Sequence, residues 1–209
     1  MYELFGCPGS GKTTTCKELE QKCKLVFISD FYKETLIGKA FLHIFLKCFI
    51  LVPKYRKIYH KLLKVIGDYK KHKNIFGFKT DICMFLKYMI FVYYIEEKYK
   101  VPNERIIIDE GIVHYLMALY SEYDVSFEVL DKILDVFKNE NRYSIGLKID
   151  FNDNLNQMLK RQRKETEIDF LNNNETKKLL QRYTTAFLHY TELFQAFEQE
   201  KLINYFKED

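Results

Sequence analysis

Residues 6–13 read Gly6-Cys7-Pro8-Gly9-Ser10-Gly11-Lys12-Thr13, a complete match to G-x-x-x-x-G-K-[ST], with Thr14 following. The chemistry accounts for each fixed position. The glycines let consecutive backbone N–H groups turn inward and form an anion nest. The helix that follows aims the partial positive charge of its N-terminus at the same anion. Lys12 is placed to bridge terminal phosphates, and the Thr13 hydroxyl is placed to ligate Mg²⁺. Gly6, Pro8, Gly9, Ser10, Gly11, Lys12, Thr13 and Thr14 are thus the expected phosphate-binding set.

The flanking sequence fits this reading. Met1 to Phe5 is a short apolar run that reads as a buried strand, and helical pattern follows from Lys12 to about Lys22. Further strands are expected at Lys24–Ile28, Arg105–Asp109 and Tyr143–Ile149, and a short last one at Leu202–Phe206. Between them the apolar spacing is helical. Ser126 is the expected cap of a helix carrying Phe127, Leu130, Ile133, Leu134 and Phe137. Asn174 is the expected cap of a longer stripe running from Leu179 to Phe197. Strands alternating with helices predict an α/β domain, 1–209, built on a parallel five-stranded sheet flanked by helices. Residues 33–100 read as a long helical insertion between the second and third strands, and residues 160–173 as a charged hinge suited to a lid.

Composition limits the alternatives. The chain has 209 residues and a net charge of +4, which does not by itself imply nucleic acid. The five cysteines show no zinc spacing, so a reduced, cytoplasmic protein is expected. The apolar stretches Phe41–Val52 and Ile82–Ile95 are too short to span a bilayer. His43, His60, His72, His114 and His189 share no metal-binding spacing and read as structural.

Other residues supply candidate chemistry. Asp109 closes an apolar strand where a carboxylate would stand beside the loop and hold Mg²⁺ through water. Its neighbour Glu110 would assist with metal, contact substrate or activate water. Asp30 would accept or orient the acceptor's hydroxyl proton, or else cap the segment starting at Phe31. Arg161 and Arg163 are lid candidates, or else a solvated basic helix end. Residues 54–73 hold eight Lys or Arg against Asp68 alone. That segment reads as a solvated lysine face, a substrate-phosphate clamp, an anionic-membrane contact or a nucleic-acid contact.

With no guanine-reading N-K-x-D segment, GCPGSGKTT resembles the loop of the nucleoside and nucleoside monophosphate kinases. Residues 154–164 (NLNQMLKRQRK) look like the lid helix of that group. Arg182-Tyr183 and Tyr190 sit on a long helix as in thymidylate kinases, and residues 24–32 are similar to the second strand of uridine kinase-like enzymes. The third strand departs from the thymidylate kinase pattern, with Asp109-Glu110 where Asp-Arg is usual. The resemblance implies a P-loop kinase fold and transfer of the ATP γ-phosphoryl group, with Mg²⁺, to a small acceptor. A nucleoside or nucleoside monophosphate leads, ahead of a sugar or other metabolite. The competing expectation is a P-loop ATPase whose nucleotide state controls a docked partner. No specific nucleic-acid binding is expected, whereas membrane contact through 54–73 and a homodimer are both compatible with the chain.

Overall fold

The computed structural model describes residues 1–27, 48, 51–67, 82–98, 106–138, 142–160 and 170–208. Its centre is a five-stranded, all-parallel sheet in the order β2-β3-β1-β4-β5. The strands are β1 (Tyr2–Phe5), β2 (Val26–Phe27), β3 (Ile106–Ile108), β4 (Tyr143–Leu147) and β5 (Ala196–Phe197). β1 lies in the middle. It pairs with β3 through Tyr2↔Ile107 and with β4 through Tyr2↔Tyr143 to Phe5↔Gly146.

Eight helices lie among the described residues: α1 (Lys12–Cys23), α2 (Pro53–Ile66), α3 (Ile82–Lys98), α4 (Ile112–Tyr123), α5 (Phe127–Val136), α6 (Phe151–Leu159), α7 (Asn173–Thr191) and α8 (Gln199–Glu208). The period-two alternation of the strands sends neighbouring residues to opposite faces. Leu4 and Ile107 pack with Leu19 of α1 and with Leu202, Ile203 and Phe206 of α8. Phe5 and Ile108 pack on the other face, with α4 and α7, in the larger core that also receives α2, α3 and α5. A sheet with apolar residues on both sides needs helices on both sides.

Several expectations are refined or corrected in detail. Leu202–Phe206 is not a strand but part of α8, because Leu202, Ile203 and Phe206 are buried at helical spacing while Asn204 and Tyr205 face solvent. The fifth strand is Ala196–Phe197, and the helix ends at Thr191, so Phe194 and Phe197 both leave the long stripe. The cap of α7 is Asn172 rather than Asn174. Its side chain accepts from Asn174 N and Glu175 N at 3.0 Å, and Glu175 returns the bond to Asn172 N, completing a capping box. Ser126 holds the N-cap position of α5 without a side-chain capping bond. β2, β3 and β4 are also shorter than the apolar runs that announced them.

α2 and α3 supply the described helices of the insertion. The apolar side of α2 (Tyr55, Leu62, Ile66) is buried in the larger core, and Lys54 pairs with Glu97 of α3 at 2.6 Å. Arg56, Lys57, His60, Lys61 and Lys64 form its exposed side. No helix among the described residues is long and apolar enough to cross a membrane. Residues 68–81 and 161–169 lie outside the described residues, as do Asp30, Arg161 and Arg163.

Candidate active site

The loop between β1 and α1 turns tightly at two glycines. Gly9 and Gly11 have φ of +86° and +83°, a left-handed conformation that a side chain would strain. The turn is closed by Ser10 N donating to Cys7 O at 3.1 Å, and α1 begins with Thr15 N donating to Gly11 O at 2.8 Å. Gly11 caps α1 without a side chain, and no acid stands in the helix's first turn. The positive end of α1 is therefore not neutralised from within its own helix, as an anion site requires.

Lys12 reaches back over the loop, donating to Gly6 O at 3.0 Å and Cys7 O at 3.2 Å. The Thr13 hydroxyl donates to Asp109 Oδ2 at 2.5 Å, which joins the start of α1 to the end of β3. Asp109 is buried, with 9% of its surface exposed. Burial lifts its carboxyl above the ordinary 3.8, Glu110 adds to the rise, and the Thr13 hydrogen bond and Lys12 oppose it. In the loop, burial pushes the Cys7 thiol up to about 11 against the opposing pull of Lys12.

These groups stand at one end of a cleft of 740 Å³. Pro8, Gly9, Gly11, Lys12, Thr13 and Thr14 line the phosphate end beside Asp109 and Glu110. Gly6 and Ser10 are buried beneath the loop. Gln157 of α6 and Lys160, which caps its C-terminus, also line the cleft. The cleft continues between three helices, with Phe85 of α3, Tyr115 and Glu122 of α4 and Tyr183 of α7 in its walls. Tyr115 packs edge-on to Phe85 at 6.1 Å and stacks with Tyr88 at 6.0 Å, making an aromatic wall. Where α4 meets α7, the buried Tyr183 hydroxyl donates to Glu122 Oε1 at 2.6 Å. That junction is fixed by Arg182, which donates to Ser121 O, Tyr120 O and Asp124 Oδ1 at 2.6 to 2.8 Å and lies over the Tyr120 ring.

The structure thus brings together Lys12, Thr13, Asp109 and Glu110 from two separated stretches of chain. Sequence reasoning missed the Glu122–Tyr183 pair and the buried Glu3 of β1, and placed Lys160 in the lid without marking it as a cleft residue. The missed signal in each buried case is an ionisable residue inside an apolar pattern. His114, read as structural, lines the cleft, whereas His189 bonds Asp131 at 3.0 Å and stacks on Phe127 within the fold.

Comparison with protein-family models and with curated protein sequences finds no match. Solved structures do match. Deoxyadenosine kinase from M. mycoides with products dCMP and a flexible dCDP bound is 16% identical, with a TM-score of 0.57, covering 99% of this chain and 96% of that one. The same enzyme with bound dATP gives 18% identity and a TM-score of 0.51 over 94% and 88% of the two chains. Thymidylate kinase from Candida albicans gives 14% identity and a TM-score of 0.56 over 99% and 88%. At such identities the likeness is one of fold, and it runs nearly end to end. The strand order, the glycine loop and these neighbours together give the chain the P-loop kinase fold.

Proposed function

We propose that this chain is a phosphotransferase that moves the γ-phosphoryl group of ATP to a small acceptor, a nucleoside or nucleoside monophosphate. The observation that carries the reading is the Thr13–Asp109 contact at the junction of the phosphate loop and a cleft that extends well past it. A hydrolase needs room for water; a 740 Å³ cleft with an aromatic wall and a buried Glu–Tyr pair offers a second substrate a place to lie.

Each residue then has a physical task. In phosphoryl transfer the charge spreads over the equatorial oxygens, so the protein's work is positioning and charge stabilisation. Lys12 exchanges its carbonyl partners for phosphate oxygens, and the N-terminus of α1 supplies further positive potential. Thr13 and Asp109 present a hydroxyl and a carboxylate, hard oxygen donors that suit Mg²⁺. Bound there, Mg²⁺ would neutralise phosphate charge. Asp30 remains the proposed partner of the acceptor hydroxyl, and Arg161 and Arg163 the proposed closing arginines.

Glu110 favours a second reading, because a carboxylate beside Asp109 could orient water and make the protein an ATPase. ADP formation measured with and without nucleosides, nucleoside monophosphates and sugars separates the two. The kinase reading expects one acceptor class to raise turnover at least tenfold above basal hydrolysis. If no acceptor raises it, the ATPase reading takes its place.

A further inference from the structure

Glu3 is a charged residue in the middle of the central strand, and its side chain is fully buried. Its Oε1 accepts from Val113 N at 2.6 Å and His114 N at 3.2 Å, in the first turn of α4. Its Oε2 accepts from the Ser144 hydroxyl at 3.4 Å and lies 3.7 Å from Nε of Arg142, whose side chain is 5% exposed. The start of α4 and the start of β4 therefore converge on one carboxylate of β1. Gly111 passes so close that a Cβ there would lie 2.0 Å from Glu3 Cδ. Gly111 itself supplies no side chain to cap α4, so the cap comes from β1 instead.

This arrangement ties together two segments that carry chemistry. Glu3 lies three residues before Gly6, where the phosphate loop starts. The turn it grips lies immediately after Asp109 and Glu110. An ordinary cap within α4 would fix the helix but leave its start free to shift relative to β1. A carboxylate from β1 locks the two to each other, and the Thr13–Asp109 contact spans the same pair of segments. Burial raises the Glu3 carboxyl above the ordinary 4.5, and the Arg142 guanidinium and the backbone N–H groups at the start of α4 oppose that rise.

We infer that Glu3 is a positioning residue for the active site, holding the Asp109-Glu110 turn in register with the phosphate loop through the N-terminus of α4. The inference rests on the reading of Thr13 and Asp109 as oxygen donors for a nucleotide's metal ion. It concerns alignment, so its signature is in metal-assisted nucleotide binding, not in folding alone.

The test is ADP binding by the purified full chain, followed by fluorescence of a labelled ADP, with Mg²⁺ titrated from zero in wild type and Glu3→Gln. Gln keeps the size and one acceptor oxygen but removes the charge. The expected result is a half-saturating Mg²⁺ concentration raised at least fivefold, with affinity in EDTA changed less than twofold. An unchanged Mg²⁺ midpoint would overturn the inference. Should Glu3→Gln fail to fold because Arg142 is left without its counter-ion, Glu3→Gln/Arg142→Leu removes both charges and is read the same way. Labelled ADP that binds with Mg²⁺ dependence while no acceptor is phosphorylated would count against the phosphotransferase reading alone, so the two fail separately.

Discussion

Asp109 is kept at a cost to folding, and replacing it by Asn separates stability from function. The carboxylate is 9% exposed, and burial holds its carboxyl above the ordinary 3.8 despite the Thr13 hydroxyl and Lys12. An acid with a raised folded value is bound more tightly to its proton in the native state. Its contribution to stability is therefore most favourable at low pH and falls as pH rises from 3.8 through the folded value. The full penalty is present at any pH above the folded value. The amide introduced by Asp109→Asn would keep an oxygen for the Thr13 hydroxyl and lose the buried charge. Asp109→Asn should thus leave stability at pH 7 unchanged or raised by about 1 kcal/mol, a melting shift of roughly 2–4 °C for a chain of this size. Losing an anionic group that holds a metal through water costs about 10–100-fold in metal affinity, or roughly 1.4–2.7 kcal/mol. Thermal melts at several pH values and Mg²⁺ titrations of ADP binding read the two effects independently. A melting temperature lowered by more than about 6 °C, with Mg²⁺ dependence intact, would refute the reasoning and make Asp109 a structural residue.

Other predictions follow from the same geometry. Lys12→Ala removes the bonds to Gly6 O and Cys7 O while the Ser10–Cys7 and Thr15–Gly11 backbone bonds remain. Its circular dichroism should therefore match wild type while turnover falls at least a hundredfold, about 2.7 kcal/mol of lost stabilisation. Tyr183→Phe removes the buried hydroxyl that donates to Glu122 and should cost about 1–3 kcal/mol of stability. In a urea melt, a change below about 0.5 kcal/mol would show that other groups compensate Glu122 for the lost bond. At neutral pH the Cys7 thiol, lifted to about 11, stays protonated and is 5% exposed. A thiol reagent followed by peptide mapping should modify the exposed Cys48 and spare Cys7 and Cys16 in the folded protein. Rapid labelling of Cys7 would mean that the loop opens readily.

Much of the architecture could be read from the chain because the signals were local. The glycine loop fixes its own turn, and the apolar run Ile106–Ile108 is unambiguous for a strand buried on both faces. Five strands were expected and five are present among the described residues, yet the last was misplaced. Leu-Ile-Asn-Tyr-Phe at 202–206 suits a strand by residue type, and only its burial at i, i+1 and i+4 marks it as helical. The Asn172 cap was hidden in a run of three asparagines, where only the partnership with Glu175 distinguishes the first.

The site divides in the same way. The juxtaposition of Lys12, Thr13 and Asp109 is legible because spacing and strand ends announce it. Glu122 and Tyr183 are 61 residues apart in sequence and meet only when α4 packs on α7. Glu3 was hidden for the opposite reason. Its short strand was read for its apolar character, and a single carboxylate there becomes meaningful only when Val113, His114, Ser144 and Arg142 gather around it.

If the chain is a phosphotransferase, the phosphate must leave the cradle for a second molecule in the cleft. Phosphorus NMR of the purified protein with ATP, Mg²⁺ and an equimolar mixture of nucleosides and nucleoside monophosphates follows that transfer as it happens. A new phosphomonoester or diphosphate resonance should appear on one of those acceptors, growing in step with ADP and absent with Lys12→Ala. Inorganic phosphate as the only product growing with ADP would contradict the transfer.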